Sequence, residues 1–265
     1  MALFSEHLVV AGTGIRITGQ LTLEAMAWMR RADRLFYGVA DPVSEHVVRT
    51  LNATAASLFR FYADGKLRAQ TYEEMVDAIL SSVRQGQMTV AVFYGHPGVF
   101  AFPPHEAVRR ARAEGFRARM LPGVSAEDCL FADLGIDPAE NGCLSLEATD
   151  FLLHQRAVDN SSQLILWQIG VLGDATFRQH GYDSSLIGVL VEKLSAHYPS
   201  DHPVVVYEAP MLVGCEPRIT RVALSFLSHI ALTQISTLYV PPARPAMPDI
   251  EYMKRVMLRP ACGPQ

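Results

Sequence analysis

The sequence predicts an α/β fold of two lobes, the first with a mostly parallel sheet and the second with a mixed sheet. In the first half of the chain, an apolar run, a glycine-containing turn and a helical pattern follow one another three times. This repetition is typical of parallel strands in one sheet. In the second half, five candidate strands accompany a single long helical pattern. We expect lobes at residues 1–122 and 123–243, followed by a tail at residues 244–265.

The first elements follow from short apolar runs and the glycines after them. Leu8-Val-Val-Ala11 is a candidate strand that ends in the turn Gly12-Thr-Gly14. A helix over residues 21–31 comes next, because its apolar side chains recur at helical spacing. Residues 35–39 are a second candidate strand.

A capping pattern predicts the next helix. In Thr71-Tyr-Glu-Glu74, the threonine and the last glutamate can satisfy each other's backbone donors, which is the capping box of a helix N-terminus. Apolar residues follow at helical spacing, and Gly86 provides the stop. We therefore expect this helix to begin at Thr71, with Tyr72 in its first turn and Arg68 in the loop just before it.

Two further strand-turn-helix units complete the first half. Residues 89–94 form a β-branched and aromatic run that ends in Gly95-His-Pro-Gly98, and a helix over residues 103–114 follows. Residues 116–120 and then Pro122-Gly-Val-Ser125 repeat the pattern. Ser125 is also a suitable N-cap for a helix over residues 126–134.

The second half contains the strand-rich pattern, and the tail contains proline. The candidate strands are residues 144–146, 164–169, 204–207, 219–224 and 235–240, and the long helix covers residues 184–197. Residues 222–240 carry no charge, but they contain too many polar side chains for a lipid-facing helix. We expect two buried strands around a turn there. The last 25 residues contain six prolines and are expected to be extended.

Composition excludes several classes of function. A hydrophobic fraction of 49% excludes a disordered chain, and a net charge of -4 argues against a dedicated nucleic-acid binder. The four cysteines form no CxxC pair, so they indicate neither a zinc site nor a disulfide framework. The N-terminus lacks the basic region of a signal peptide. We expect a cytoplasmic protein that uses no metal and binds neither nucleic acid nor a membrane.

The three glycine-containing turns carry a resemblance to a known superfamily. Gly12-Thr-Gly14, Tyr94-Gly-His-Pro-Gly98 and Pro122-Gly-Val-Ser125 occur in this order, and together they resemble the tetrapyrrole methylases, which are S-adenosylmethionine-dependent methyltransferases. The resemblance implies two α/β lobes with the cofactor in the cleft between them. Most of the superfamily has an acidic GDP-type turn where this chain has Gly95-His96-Pro97.

That departure and a second set of residues resemble one branch, the borosin peptide backbone α-N-methyltransferases. The residues are Phe61-Tyr62, Arg68, Thr71-Tyr72, the loop from Tyr94 to Phe100, and Gly135-Ile-Asp-Pro138. The resemblance implies that Tyr62, Arg68 and Tyr72 are the catalytic group. Spacing alone favours two packing tyrosines and a surface arginine, and the ordered superfamily loops reverse that preference.

The resemblance also implies a set of cofactor contacts, in the two loops and at the ends of later strands. Tyr207 and Glu208 could equally be a packing residue and a surface charge. The implied contacts are Tyr94, His96, Val99, Phe100, Ser125, Ala126, Gln168, Tyr207, Glu208, Ala209, Ser236 and Thr237.

The chemistry of amide methylation explains the choice of catalytic residue types. An amide nitrogen is a poor nucleophile, so it must lose its proton while negative charge builds on the carbonyl oxygen. A guanidinium such as that of Arg68 stabilises this charge as an oxyanion hole would. A tyrosine could accept the proton if the adjacent arginine favoured its phenolate. Tyr62, Tyr72 and a water molecule remain alternatives for this role.

The composition of the tail indicates what kind of substrate to expect. Residues 247–265 contain Lys254, Arg255, Arg259 and three prolines in place of an apolar, Val/Ile-rich core peptide. This resembles the split borosin form, in which a separate precursor peptide is methylated in trans. The resemblance implies a homodimer that forms a heterotetramer with the precursor. The alternatives are a tetrapyrrole C-methyltransferase of the uroporphyrinogen or precorrin type, and a non-catalytic partner-binding subunit.

Overall fold

A computed structural model describes residues 6–39 and 41–257. The first of its two sheets is parallel throughout. The strand order is β3-β2-β4-β1-β5, and each pair of neighbours runs parallel. The predicted parallel sheet is therefore confirmed. Its strands are β1 (Leu8–Gly12), β2 (Arg34–Gly38), β3 (Ala56–Ser57), β4 (Thr89–Phe93) and β5 (Ala118–Leu121).

The second sheet is mixed, as predicted. Its order is β6-β7-β10-β8-β9, with β6 parallel to β7 and the other neighbouring pairs antiparallel. Every strand of the first sheet precedes residue 122, and every strand of the second follows it. The strands of the second sheet are β6 (Cys143–Glu147), β7 (Gln163–Trp167), β8 (Pro203–Glu208), β9 (Arg218–Ala223) and β10 (Thr237–Val240).

Helices cover the sheets and connect their strands. In the described part of the chain, none is long and apolar enough to cross a membrane. The α-helices are α1 (Ile17–Gln20), α2 (Leu23–Arg31), α3 (Pro42–Leu51), α4 (Arg68–Arg84), α5 (Phe102–Ala113), α6 (Ala126–Leu134), α7 (Pro138–Asn141), α8 (Ala148–Leu153), α9 (Ile187–Ser195) and α10 (Ile250–Met257). Short 3₁₀ helices occupy Phe59–Phe61, Ile169–Val171 and Leu224–His229.

The interior strand β1 shows how the first lobe is packed. Its side chains alternate between the two faces of the sheet. Leu8 and Val10 join the apolar cluster that contains residues of α4 and α5, and Val9 and Ala11 join the cluster that contains residues of α2 and α3. All five residues of β1 are buried. Both faces are therefore covered, which explains why the strand is an uninterrupted apolar run.

The start of α4 differs from the prediction. The helix begins at Arg68, and Leu67 caps it without a side-chain hydrogen bond. The hydroxyl of Thr71 donates to the carbonyl oxygen of Phe61 at 3.4 Å, and Glu74 forms an ion pair with Lys66 at 2.6 Å. The predicted capping box is wrong because its two side chains bind the preceding loop instead. Tyr72 consequently lies one turn after Arg68 on the same helix.

Two other regions also differ from the prediction. Between β9 and β10 the chain forms the 3₁₀ helix Leu224–His229, held by the buried side chains of Leu224 and Leu227. The expected extended tail contains α10, and residues 258–265 lie outside the described residues. Helix α3 was not predicted from the sequence, although Asp41 accepts a capping hydrogen bond from the backbone of Ser44 at 2.8 Å.

Candidate active site

Three glycines bring the loops after β1, β4 and β5 into contact. A β-carbon added to Gly12 would lie 2.4 Å from the carbonyl oxygen of Gly95 and 2.8 Å from the α-carbon of Gly123. The backbone of Gly14 and Gly95 also exchanges two hydrogen bonds, of 3.2 and 2.8 Å. Because these strands are parallel, their carboxyl ends meet at one edge of the sheet. Open α/β sheets bind their ligands at this edge.

A cavity of about 360 Å³ lies beside these loops and is lined by both lobes. This volume falls within the range of small-molecule sites. All but two of the residues predicted for the site line it. They are Tyr62, Arg68, Tyr72, Tyr94, His96, Val99, Phe100, Ser125, Ala126, Gln168, Tyr207, Ala209 and Thr237.

The structure does not bring the two remaining predicted residues, Glu208 and Ser236, into the cavity. The carboxylate of Glu208 accepts hydrogen bonds from Ser236 at 2.5 Å, Thr233 at 2.8 Å and Arg218 at 2.9 Å. Ser236 is fully buried beneath this network. Both side chains therefore hold the turn that leads into β10, and this explains why neither lines the cavity.

Arg68 is positioned by both lobes. It is the first residue of α4 in the first lobe, and its backbone N–H donates to the carbonyl oxygen of Ala175 in the second lobe at 2.9 Å. Its guanidinium donates to the carbonyl oxygen of Asp174. One cation is thereby held at the edge of the cavity with its remaining N–H groups available to an oxygen atom of a ligand.

Tyr62 is enclosed by other aromatic rings. Its ring centroid lies 4.8 Å from that of Phe177 and 5.3 Å from that of Phe59. Burial raises the pKa of Tyr62, contact with Tyr72 raises it further, and the opposing effect of Arg68 is the smallest of the causes. The arginine therefore does not favour the phenolate overall, in contrast to the condition set in the sequence analysis. Tyr62 is a neutral phenol at physiological pH.

Two side chains that were predicted to contact the cofactor, Ser125 and His96, form hydrogen bonds within their own loops. The hydroxyl of Ser125 accepts from the backbone of Asp128 at 3.1 Å, and Asp128 accepts from the backbone of Ser125 at 2.7 Å, which completes a capping box at α6. The Nδ1 atom of His96 accepts from the backbone of Gly98 at 2.9 Å. These side chains shape the loops that line the cavity. The capping box at α6 also confirms the N-cap predicted at Ser125.

The backbone is strained at two residues of the cavity wall. Phe100 has a φ of 49° and Gln168 a φ of 62°, and they are the non-glycine residues with positive φ in the described ranges. This conformation costs about 1–3 kcal/mol for a residue with a side chain and is concentrated at ligand sites. Its occurrence at two positions of one cavity independently supports a binding function there.

Aromatic residues that the sequence analysis missed complete the walls. Phe102 stacks on Tyr72 with 6.3 Å between ring centroids, and Trp167 lies 5.9 Å from Phe100. Phe100 and Phe102 are each 47% exposed, so the mouth of the cavity is apolar. The sequence signal for Phe102 was its position just after a glycine loop. Phe177 and Tyr182, which also line the cavity, lie in a segment without any such signal.

Residues 7–220 match the family model of the tetrapyrrole (corrin/porphyrin) methylases. The chain belongs to this family. This tetrapyrrole methylase also has the fold of two solved methyltransferases, each 17% identical in sequence. They are a cobalt precorrin-4 methyltransferase of cobalamin biosynthesis (TM-score 0.61, 91% of this chain and 99% of that one) and a uroporphyrin-III C-methyltransferase from Thermus thermophilus (TM-score 0.65, 90% and 96%).

Curated relatives of this tetrapyrrole methylase are named as methyltransferases joined to peptide precursors, which confirms the resemblance to the borosin branch. One from Omphalotus olearius, the precursor of the cyclic peptide omphalotin A, is 43% identical over 258 residues, covering 96% of this chain and 62% of that protein. A dendrothelin A precursor from Dendrothele bispora is 46% identical, covering 89% and 57%. A type I borosin precursor from Coprinopsis marcescibilis is 43% identical, covering 91% and 63%. The chain thus spans about three fifths of the length of these relatives.

Proposed function

We propose that this methyltransferase transfers methyl groups from S-adenosylmethionine to backbone amide nitrogens of a peptide. The observation that carries the proposal is the shared cavity, in which Tyr62, Arg68 and Tyr72 lie beside the three glycine loops. The relatives support the peptide substrate, since their names combine a methyltransferase with a peptide precursor.

The cavity residues fit S-adenosylmethionine. An apolar wall that includes Val99, Phe100 and Ala126 accompanies the polar groups of Gln168 and Thr237, which is the mixture that binds a nucleoside with a charged tail. The close packing of the glycine loops lets a ligand approach the backbone without side chains in between. When bound, the cofactor supplies an electrophilic methyl group on a sulfonium centre.

Arg68 and the tyrosines act on the amide. The guanidinium stabilises the negative charge that builds on the carbonyl oxygen as the amide loses its proton. Tyr62, a neutral phenol, donates a hydrogen bond and aligns the amide against the aromatic wall. The amide proton passes to Tyr72 in its phenolate form, which becomes a phenol, or to a water molecule that hands it on to solvent. Alignment of the nitrogen with the methyl group provides the rest of the acceleration.

A mass-spectrometric assay tests the reaction and the identity of the substrate. The purified chain is incubated with S-adenosylmethionine and a separate peptide rich in valine and isoleucine, or with a candidate precursor from a neighbouring reading frame. We expect mass increases of whole methyl groups, which fragmentation places on backbone nitrogens of the added peptide. Methyl groups found only on the enzyme's own chain would show methylation in cis and refute the trans form.

Two further arms address the alternatives. Methylation of a carbon of an added uroporphyrinogen, without any peptide product, would favour the tetrapyrrole C-methyltransferase. Calorimetry that detects neither S-adenosylmethionine nor S-adenosylhomocysteine would favour the non-catalytic binding subunit.

The proposed assembly is a homodimer that forms a heterotetramer with two precursor peptides. Helix α10 supports an assembly of this kind, because its side chains Ile250, Val256 and Met257 are 56%, 69% and 74% exposed. An amphipathic helix with an uncovered apolar face marks a contact surface. Sedimentation of the chain, and native mass spectrometry after addition of the peptide, measure the two stoichiometries. A monomer at micromolar concentration would contradict the proposal.

A further inference from the structure

A strap from the second lobe, defined as residues 174–178, lies along the segment that precedes α4. Phe177 exchanges two backbone hydrogen bonds with this segment: it accepts from Gly65 at 2.8 Å and donates to Lys66 at 2.9 Å. Leu67 and Thr176 form an antiparallel bridge. Together with the two hydrogen bonds from Arg68, these contacts make the strap a short strand paired across the lobes. The direction of the guanidinium therefore depends on the shape of the strap.

Asp174 determines that shape. Its Oδ1 atom accepts from the backbone N–H of Thr176 at 2.7 Å and from the Thr176 hydroxyl at 2.6 Å, and its Oδ2 atom accepts from Arg178 at 3.1 Å. A carboxylate that binds the backbone two residues later closes a tight turn. The hydrogen bonds from Thr176, with a smaller contribution from Arg178, lower the pKa of Asp174 to about 2. The Asp174 carboxylate therefore stays ionised at the pH of an enzyme assay.

We propose that Asp174 is a positioning residue that acts through Arg68. Its carboxylate fixes the turn, and the turn presents the Asp174 carbonyl oxygen to the guanidinium. The same turn places Phe177 against the ring of Tyr62. The second lobe thus orients two of the three proposed catalytic residues, which both belong to the first lobe. This inference rests on the proposed function of Arg68.

Kinetics of Asp174→Ala test the inference. Without the carboxylate the turn opens, the guanidinium loses its acceptor, and a shift of about 1 Å costs up to about a hundredfold in rate. Because Arg68 acts on charge that forms in the transition state, we expect kcat to fall about ten- to hundredfold while the peptide KM changes less than about twofold. The affinity for S-adenosylhomocysteine is unchanged. Asp174→Asn keeps the Oδ1 acceptor and restores most of kcat.

Asp159 offers a matched control. It accepts from the backbone and hydroxyl of Ser161 at 2.9 and 2.7 Å, in the same arrangement as Asp174 and Thr176. It precedes β7, whereas the cavity lies at the other end of that strand, next to Trp167. Asp159→Ala therefore removes an identical turn and leaves kcat unchanged.

Amide hydrogen exchange gives a readout that does not depend on activity. In Asp174→Ala we expect faster exchange of the amide hydrogens of residues 65–68. In Asp159→Ala we expect the exchange of these residues to be unchanged. A wild-type kcat and unaltered exchange in Asp174→Ala would overturn the inference, as would a loss of S-adenosylhomocysteine binding equal to the loss of kcat. If that variant does not fold, Thr176→Val decides, because it removes only the hydroxyl hydrogen bond and should lower kcat several-fold. A wild-type protein without methyl transfer would refute the proposed function, and the exchange data would still judge the role of Asp174.

Discussion

Replacement of Arg68 by alanine separates a catalytic arginine from a structural one. The variant loses the guanidinium and its hydrogen bond to the carbonyl oxygen of Asp174, but it keeps the backbone hydrogen bond to Ala175. A hydrogen bond from a charged group such as this guanidinium contributes about 1.5–3 kcal/mol to stability. At about 2–4 °C per kcal/mol for a protein of this size, the melting temperature falls by about 3–12 °C.

The effect on catalysis is read separately, as a fall in kcat. Removal of one donor to a developing oxyanion costs about 2.7–4 kcal/mol, which is a factor of about 10²–10³ in kcat. The assay is the rate of methyl incorporation into peptide by mass spectrometry, alongside S-adenosylhomocysteine affinity by calorimetry. We expect the affinity to stay within about threefold of wild type, because the role proposed for the arginine is on the amide and not on the cofactor. Arg68→Lys keeps the charge without the planar fork and gives an intermediate rate.

Arg30, an exposed arginine in the last turn of α2, is the matched control, and Arg30→Ala leaves both quantities unchanged. The reasoning would be refuted if Arg68→Ala kept more than about a third of the wild-type kcat. It would also be refuted if the cofactor affinity fell in parallel with kcat, since the residue would then shape the cofactor site.

Three further predictions concern the aromatic wall, the glycine loops and the strained backbone. Burial raises the pKa of Tyr62 above its ordinary value of 10.0, so the fold is stabilised below that pH and loses this stability as the pH rises above about 10. Thermal melts of Tyr62→Phe should therefore show a smaller loss of stability at alkaline pH than wild type. An identical loss would contradict the burial of a neutral phenol at this position. Gly12→Ala places a β-carbon 2.4 Å from the Gly95 oxygen, so it should abolish S-adenosylhomocysteine binding in calorimetry and lower the melting temperature. The control is Gly19→Ala, whose added β-carbon would meet nothing within 4 Å, and it should change neither quantity. Gln168→Gly relieves the backbone strain of the positive φ of 62°. We therefore expect an unchanged or higher melting temperature together with weaker S-adenosylhomocysteine binding. A lower melting temperature would show that the Gln168 side chain stabilises the fold.

The sequence predicted those parts of the site that local patterns encode. The three glycine turns, the parallel sheet and the Ser125 cap each depend on a few consecutive residues, and the structure has all of them. The positions of Tyr62, Arg68 and Tyr72 came from family resemblance, since two tyrosines and an arginine have no spacing signature of their own.

The sequence failed where distant segments decide the outcome. The capping box at Thr71 is locally sound, yet its side chains bind Phe61 and Lys66 because the loop folds back over the start of α4. Phe177 reaches Tyr62 only through backbone pairing across more than 100 residues of chain, and no local pattern encodes that pairing. Glu208 and Ser236 were placed in the site by the family resemblance, whereas the structure shows them hydrogen-bonded to each other and not among the residues that line the cavity.

The pairing of residues 65–68 with residues 174–177 also bears on the order of folding. Contacts between distant segments form late, because the long loop between them must close first, and the N-terminal lobe leaves the ribosome well before its partner. The first lobe can bury its own core, but Arg68 has no acceptor until residue 174 has been synthesised, and the cavity lacks a wall until Thr237 has joined β10. The enzyme therefore gains its activity only after the segment that contains β10 has emerged. A nascent N-terminal fragment would lack both the Asp174 acceptor and the second-lobe wall of the cavity, and it would be inert.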